Sequence, residues 1–437
     1  MEKKVEGRCP IEEGPGPKEG FLLDVKTLAW QEKETVVSLR RHFHENPELS
    51  QKEFKTMDTI EEFLHKYGIE TVRVPHGGVF GFLDSGKPGW TMLMRADIDA
   101  LPIKEDPVNM AKERVCISEN EGIMHACGHD GHMAMLLTEA KILAQHKDEW
   151  EGKIVFMFEE AEEMGERGIA PLLRYLRDNK IHIDTCFGTH VMWNLPAGKV
   201  GILYGSALAG AYFFRVKLHG KSGHGSRPDM AQSPIECFIS IASELRSYRM
   251  RAVDPSDSLT YSFGCVQAGH EPNIIPDELM FAGTARCTKN DDGLAFRDTF
   301  LKVTKGIAEL HGLTAEIVED QYFPVTVNTK ECVDLARKSV TEALGSDALD
   351  PDCPMWMATE TFSITVSTYP GVFFFTGIND PEVGSGSPHH TPKFDIAEDG
   401  LVTGVAAALA YVTRALAEKP ETPFFHPTDL ESMLKLT

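Results

Sequence analysis

The densest group of potential metal ligands lies in the segment MHACGHDGH, residues 124–132. This segment places His125, Cys127, His129 and His132 within eight residues, where a loop leads into a predicted helix. Thiolate and imidazole are favoured ligands for zinc and similar divalent ions. A turn rich in His and Cys could instead only cap a helix, but four such groups together favour a metal site.

A second candidate feature is a run of carboxylates that directly follows a predicted buried strand. The strand is IVFMF and the run is EEAEEMGERG, residues 159–168. Open α/β sheets place their sites at such strand ends. One of two adjacent carboxylates can bind a metal while the other takes a proton from water. A solvated acidic loop is the alternative that this run leaves open.

Further candidates follow other predicted strands. His190 ends the strand CFGTH, and Asp97 and Asp99 follow the strand TMLM. His389 and His390 lie in the loop GSGSPHHTPKFD, whose glycines, serines and prolines exclude it from the core. Each residue alone could be an ordinary surface or core group. Together these side chains at several strand ends predict a composite metal site.

The elements that must position these residues are short apolar strands alternating with amphipathic helices. Helical spacing runs through LAWQEKETVVSLRRHFHENPEL and ends at Pro47, and a second helix is predicted over MDTIEEFLHKYG with Gly68 as its C-cap. The strands are continuously apolar. This pattern predicts a parallel or mixed sheet covered on both faces by helices.

From about Leu208 the pattern changes. The run AYFFRVKLHG alternates as a half-buried strand does, and the next helix has Ser233 as N-cap, Pro234 at its first position and Glu236 to complete a capping box. The order strand–helix–strand–strand–helix–strand predicts a ferredoxin-like unit. After about Pro324 the α/β character resumes, so the smaller domain is predicted to be inserted into the larger one.

The predicted organisation is therefore a discontinuous domain over residues 25–207 and 324–437, with an inserted domain over 208–323. The first 24 residues are rich in Gly, Pro and Glu, and their composition predicts poor order.

Composition excludes several classes of function. The formal net charge of −22, from 44 basic and 66 acidic residues, opposes binding to nucleic acid. No apolar run approaches the roughly 18 residues of a membrane span, and the N-terminal residues lack the apolar core of a secretory signal. Nine scattered cysteines predict a reduced, cytoplasmic protein.

Ordered motifs then identify a family. They are RRHFHENPELSQKEFKT, MRADIDALP, MHACGHDGHMAMLL, FEEAEEMGERG, GTHVMWNLPAGKVG, GKSGHGSRPDMAQSPI, EPNIIPDELMFAGTARC, GVFFFTG and HHTPKFD. The sequence resembles the M20 family of metallopeptidases and amidohydrolases, in the branch of aminoacylases, hippurate hydrolases and plant indoleacetyl-amino-acid hydrolases. The resemblance implies a zinc-peptidase-like α/β catalytic domain with an inserted ferredoxin-like lid domain that dimerises.

The resemblance also implies a site for two divalent ions, which could be Zn, Mn, Co or Ni. Its implied ligands are Cys127, His129, Glu163, His190 and His390. Glu162 matches the general base of the family, and Asp99 matches an acidic residue that supports the site from beneath the metals.

In the lid, His224 matches a histidine that often reaches the active site of the partner subunit and would donate to the developing oxyanion. Asn273 and Arg286 match positions that contact the carboxylate end of the substrate. Asp97 stands where other branches carry a ligand histidine. Since five ligands are already assigned, His125 and His132 are expected to lie behind them rather than to bind metal.

The chain departs from the usual family pattern at four places. Glu160 replaces a proline, His389 replaces an apolar residue before His390, Asp229 stands where a histidine is frequent, and ATETFS replaces a segment like SEDFS. None of these changes removes an implied ligand or the base. They are therefore expected to affect substrate preference.

The leading hypothesis is a metal-dependent amidohydrolase that cleaves N-acyl or aryl-acyl amino acids into a carboxylate and an amino acid. A dipeptidase or carboxypeptidase with the same two-metal mechanism is the closer alternative. A non-catalytic binding protein on the same scaffold is disfavoured, because the base and all five implied ligands are present.

Overall fold

The computed structural model describes residues 24–164 and 168–437. The N-terminal stretch that was predicted to be poorly ordered lies outside the described residues, apart from Asp24. The described helices are α1 (Val25–Gln31), α2 (Lys33–Glu45), α3 (Phe54–Lys66), α4 (His129–Gln145), α5 (Ile169–Asp178), α6 (Pro234–Ala252), α7 (Asn290–Leu310), α8 (Lys330–Leu344), α9 (Phe362–Thr368), α10 (Glu398–Glu418) and α11 (Leu430–Leu434). The described strands are β1 (Glu70–Val74), β2 (Gly78–Asp84), β3 (Thr91–Asp97), β4 (Lys153–Glu159), β5 (Thr185–Pro196), β6 (Val200–Gly201), β7 (Gly205–Leu208), β8 (Gly210–His219), β9 (Gly223–His224), β10 (Leu259–Ala268), β11 (Ile274–Ile275), β12 (Glu278–Cys287), β13 (Thr314–Phe323), β14 (Thr326–Asn328) and β15 (Gly371–Asn379).

The larger sheet has seven strands in the order β1-β2-β4-β3-β5-β15-β6. Its four central strands are mutually parallel, and the outer strands pair antiparallel. In β3, Met92 and Met94 enter the core that contains α4 and α10, while Leu93 enters the opposite core with α5 and α9. Successive side chains of a strand point to opposite faces, so an uninterrupted apolar run is buried on both faces. The prediction of a mixed sheet covered on both faces is confirmed.

The smaller sheet has four antiparallel strands in the order β10-β12-β8-β13, and α6 and α7 pack on it. In chain order the elements are β8, α6, β10, β12, α7 and β13, as the sequence predicted for a ferredoxin-like unit. Ser233 caps α6 by accepting a hydrogen bond from the Glu236 backbone N–H at 3.4 Å, and Pro234 opens the helix. This sheet has a separate aromatic core that includes Phe214, Phe281 and Phe300.

Two helices differ from the sequence-based expectation. The single long N-terminal helix is divided at Glu32 into α1 and α2. Among the described residues α10 alone is long and apolar enough to cross a membrane, with a mean hydropathy of 1.5. The sequence-based expectation that no apolar run approaches the length of a membrane span was wrong for α10. However, 89% of that apolar stretch is buried inside the protein. Such burial is typical of a core helix.

Candidate active site

The five implied ligands converge beside the larger sheet. The Sγ atom of Cys127 lies 3.5 Å from Nε2 of His190 and 3.3 Å from Nε2 of His390. His390 Nε2 lies 3.1 Å from a carboxylate oxygen of Glu163, and that oxygen lies 3.9 Å from Nε2 of His129. These side chains form overlapping groups whose potential ligand atoms lie within 4.8 Å of one another.

Four separate segments supply these atoms. Cys127 precedes α4 and His129 is its first residue, while His190 lies within β5. Glu163 lies in a short 3₁₀ turn after β4, and His390 lies in the loop between β15 and α10. The carboxyl ends of parallel strands meet at one edge of a sheet, which is where open α/β sheets place their sites.

The turn between Cys127 and His129 requires glycine. Gly128 has a φ of 94°, in the left-handed region. A Cβ atom at this position would overlap the side chain of Val191. Glycine adopts this conformation without strain, so it allows both neighbours to face the same centre.

The orientation of the His129 ring is set by the carboxylate of Asp99. Its Nδ1 lies 3.1 Å from Oδ1 of Asp99, while its buried Nε2 has no hydrogen-bond partner among the described residues. Asp99 Oδ2 also accepts from Ser50 Oγ at 2.7 Å and from the Glu163 backbone N–H at 3.1 Å. Burial lowers the pKa of His129, but the carboxylates of Asp97 and Asp99 raise it to about 10. A carboxylate behind a histidine that leaves Nε2 free is the usual support for a metal ligand.

The tautomer of His190 is set by the backbone. Its Nδ1–H donates to the carbonyl of Val191 at 2.7 Å, so its unprotonated Nε2 faces Cys127. Burial holds the pKa of His190 well below its usual range. A neutral imidazole is the form that binds metals.

His132, His125 and His389 have different surroundings. Nε2 of His132 accepts from the Val191 N–H at 2.9 Å, and its Nδ1 therefore donates to Asp97 at 2.6 Å. Both nitrogens of His132 are thus occupied, as expected of a residue behind the ligands. The ring nitrogens of His125 and His389 are buried without hydrogen-bond partners among the described residues. The His389 ring packs against Trp356, with centroids 4.9 Å apart.

The donor set fits divalent cations. Burial, together with the carboxylates of Glu163 and Glu162, raises the pKa of the Cys127 thiol well above its usual value. A bound cation would reverse that effect by stabilising the thiolate. The buried Nε2 of His129 and a carboxylate oxygen of Glu163 lack hydrogen-bond partners among the described residues. Sulfur, nitrogen and oxygen donors of this kind suit zinc and its neighbours in the first transition series.

Glu162 lies beside the ligands and is held by the backbone of the ATETFS segment. Its Oε1 accepts a hydrogen bond from the Thr361 N–H at 3.2 Å. Removal from water raises the pKa of Glu162 well above its usual value, and the neighbouring carboxylate of Glu360 adds to this effect. A carboxylate of raised pKa is a stronger base.

The sequence analysis missed the buried Arg95. This arginine is 3% exposed, and its guanidinium lies 2.7 Å from Asp97, 2.7 Å from Glu159 and 2.9 Å from Glu360. It also donates to Thr361 Oγ1 at 2.9 Å. Its charge therefore balances carboxylates that would otherwise repel one another out of water. The signal in the sequence was an arginine inside the otherwise apolar strand TMLMRADI.

A cavity of about 260 Å³ adjoins the ligands and is bounded by residues of the smaller sheet and by loops of the larger domain. Glu162, Glu163 and His390 line it together with Arg286 of β12. The Arg286 guanidinium lies 5.0 Å from the ring centroid of Phe213. Among the described residues no carboxylate forms an ion pair with it, and its side chain donates to the Ala285 carbonyl.

His224 and Asn273 lie elsewhere. His224 is exposed on the short β9–β11 ribbon, and the Asn273 carbonyl accepts from the Gly225 N–H at 2.8 Å. Neither residue lines the cavity or belongs to a ligand group of this chain. Their implied roles stay predictions. Asp229 lies in the short 3₁₀ turn that follows β9, where it is exposed and paired with Arg227 at 2.7 Å.

Comparison with known proteins identifies the family. The profile of peptidase family M20/M25/M40 matches residues 93–414. A thermostable carboxypeptidase of Saccharolobus solfataricus is 35% identical over 88% of this chain and 95% of its own length. An N-acyl-L-amino acid amidohydrolase of Geobacillus stearothermophilus is 35% identical over 70% of this chain and 82% of its own.

A solved structure is similar to this chain over most of its length. The dinuclear metal-binding M20 peptidase of Bacillus subtilis superimposes with a TM-score of 0.72 at 27% identity, over 90% of this chain and 99% of its own. The fold and the resemblance deduced from the sequence motifs are confirmed. This chain belongs to peptidase family M20/M25/M40 and is an enzyme that acts on amide bonds.

Proposed function

We propose that this enzyme hydrolyses the amide bond of N-acyl or aryl-acyl amino acids and releases a carboxylate and a free amino acid. The observation that carries this proposal is the position of Arg286. Its guanidinium lines the same cavity as Glu162, Glu163 and His390, and no protein carboxylate among the described residues forms an ion pair with it. A planar guanidinium can hold a carboxylate through two hydrogen bonds. The free carboxylate of an acylated amino acid supplies that partner.

In this proposal each residue has a distinct role. The proposed ligands of two divalent ions are Cys127, His129, Glu163, His190 and His390, and Asp99 supports His129. When bound, such ions polarise an amide carbonyl and acidify a water molecule. Glu162 takes a proton from that water and returns it to the leaving amine as the C–N bond breaks. Water thereby adds OH to the acyl carbon and H to the nitrogen.

The remaining contacts are proposed to come from the lid domain, residues 208–323. Phe213 and Phe323 provide apolar walls beside Arg286. His224 and Asn273 are proposed to complete the site of a partner subunit, because their exposed ribbon lies outside the site of their own chain. Exposed apolar side chains on the lid support a homodimer; they are Ile239, Val266 and Ile274.

A carboxypeptidase or dipeptidase is the second candidate. The same Arg286 would hold the C-terminal carboxylate of a peptide. Glu360 also lines the cavity. Its carboxylate could accept a hydrogen bond from the ammonium group that a dipeptide carries and an N-acyl amino acid lacks. The similarity to a carboxypeptidase supports this alternative.

The proposed metals are zinc, manganese, cobalt or nickel, and the proposed location is the cytoplasm. All eight described cysteines are free thiols. Free thiols are typical of proteins in a reducing compartment.

A release assay tests the proposal. Purified protein is stripped with a chelator, reloaded with each of the four metals and assayed on matched N-acyl amino acids and dipeptides. We expect faster release from the acylated substrates. Faster release from dipeptides would favour the second candidate, and no release with any metal would contradict both.

A further inference from the structure

The segment of residues 48–53, between α2 and α3, runs beneath the candidate site. The Ala100 N–H donates to the Glu48 carbonyl at 2.8 Å, and Leu49 forms a parallel bridge with Ala100. The segment is therefore attached to the chain directly after Asp99, the residue that orients His129.

Two side chains of this segment support different parts of the site. Ser50 Oγ donates to Oδ2 of Asp99 at 2.7 Å. Oε1 of Glu53 accepts a hydrogen bond from the backbone N–H of Ala161 at 2.8 Å, across 108 positions of sequence. Ser50 thus supports Asp99, which orients the ligand His129, whereas Glu53 supports the residue that precedes Glu162.

The backbone at Ala161 needs this support. Ala161 is fully buried and has a φ of 55°, in the left-handed region. That conformation is unfavourable for residues other than glycine and persists only where the surroundings impose it. The direction of the chain at this residue sets where the side chain of Glu162 begins.

Glu53 is an unusual residue for its place. Its side chain is fully buried, and Oε2 has no hydrogen-bond partner among the described residues. Burial and the nearby Asp99 raise its pKa to about 8. A buried carboxyl group is costly for stability, and an apolar residue in the same space would cost less. The presence of Glu53 therefore indicates that its hydrogen bond to Ala161 is needed.

We propose that Glu53 is a positioning residue for the general base, because it holds the strained Ala161 and thereby aims Glu162 at the water that reacts. This inference rests on the proposed function. Ser50 supplies the matched control, since it lies on the same segment but supports a metal ligand.

The test compares four variants with the wild type. Glu53→Gln keeps the acceptor; Glu53→Met removes it, and Glu53→Asp keeps a carboxyl group that is one methylene too short. For Met and Asp we expect kcat to fall about 100-fold, the scale of a displaced catalytic group. Gln is expected within about threefold of wild type because the hydrogen bond survives. For Ser50→Ala we expect about tenfold weaker zinc binding and Ala161 amide exchange at the wild-type rate, because Ser50 bonds to Asp99 and not to Ala161.

A second readout does not need activity. In metal-free protein the Ala161 amide should exchange at least about tenfold faster with deuterium in the Met and Asp variants than in the wild type or Gln variant, because its acceptor is lost. In an Ala161→Gly background the loss caused by Glu53→Met should shrink to about tenfold, since glycine adopts the left-handed conformation without support.

The outcomes separate this inference from the proposed function. A wild-type enzyme that releases no product contradicts the proposed function, and the amide-exchange result then decides the inference alone. An active wild type with unchanged kcat and unchanged Ala161 exchange in the Met and Asp variants overturns the role of Glu53. Equal losses for Gln and Met also overturn it, because the bond to Ala161 would then be irrelevant.

Discussion

The edge of the seven-stranded sheet and the segment 208–323 hold their candidate residues in opposite ways. At the larger sheet, Cys127, His129 and His190 are buried, and both histidines have hydrogen-bonded support. Within residues 208–323, His224 is exposed on the β9–β11 ribbon and its Nδ1 accepts only local hydrogen bonds from Ser226. The edge of the larger sheet thus contains a preorganised centre, whereas the β9–β11 ribbon presents residues whose proposed partners lie outside their own chain.

Arg286 is the exception that connects the two regions. It belongs to the four-stranded sheet, within residues 208–323, but lines the cavity beside the implied ligands. Under the proposed function, bond cleavage is organised by one unit and substrate recognition by the other. Four substitutions, in order of decreasing expected effect, can break or sharpen this division.

The largest effect is expected for Glu162→Gln. Loss of the general base should lower kcat about 10³-fold, while metal content stays at the wild-type value because the ligands are intact. Steady-state kinetics and metal analysis of the same preparation measure both quantities. Full activity in this variant would remove Glu162 from the mechanism.

Asp395→Asn tests whether buried charges stabilise the edge of the larger sheet. Asp395 lies 3.0 Å from Arg40 and 3.3 Å from Arg114, and Arg40 also pairs with Asp130, next to His129. Breaking this buried network should lower the free energy of unfolding by about 3 kcal/mol. Urea unfolding at neutral pH measures the change.

The pH dependence of stability provides the control for Asp395. Burial raises the pKa of Asp395, but Arg40, the Asn109 amide and Arg114 hold it below its usual range. A carboxyl group with a lowered folded-state pKa contributes stability above its unfolded value of about 3.9 and loses it as the pH falls. The difference between wild type and Asp395→Asn should therefore shrink below about pH 4. A constant difference would contradict this electrostatic explanation.

His224→Ala tests the proposal that the β9–β11 ribbon serves a partner subunit. Removal of an oxyanion donor should lower kcat about 100-fold without changing metal affinity or the melting temperature. Mixing this variant with Glu162→Gln is the decisive measurement. If His224 acts across subunits, a mixed dimer contains one intact site and activity returns; if it acts within its own chain, both sites stay defective.

Arg286→Lys is expected to have the smallest effect. Lysine keeps the charge but cannot form two parallel hydrogen bonds, so KM for N-acyl amino acids should rise about tenfold. Substrates whose carboxylate is amidated provide the control. Their KM should be equal in the two enzymes, and an equal rise for both substrate classes would show that Arg286 does not recognise the carboxylate.

Much of this protein could be predicted from local patterns. Apolar runs and capping residues predicted the mixed sheet and the ferredoxin-like unit, because burial and helix capping act over a few neighbouring residues. The types and order of the motif residues also predicted the family, and the ligand set that the resemblance implies stays a prediction. Local spacing did not predict the division of the first helix at Glu32, nor the length of the apolar stretch in α10.

Other features depend on contacts between distant parts of the chain. Arg95 contacts Glu360, and Glu53 contacts Ala161, across 108 positions or more. Neither pair has a local signature that names the partner. The sequence by itself determined which side chains are available for chemistry and which elements carry them. Only the tertiary structure decided which atoms meet, which buried charges are balanced and which residue is left facing the cavity, because those outcomes depend on how separate elements pack.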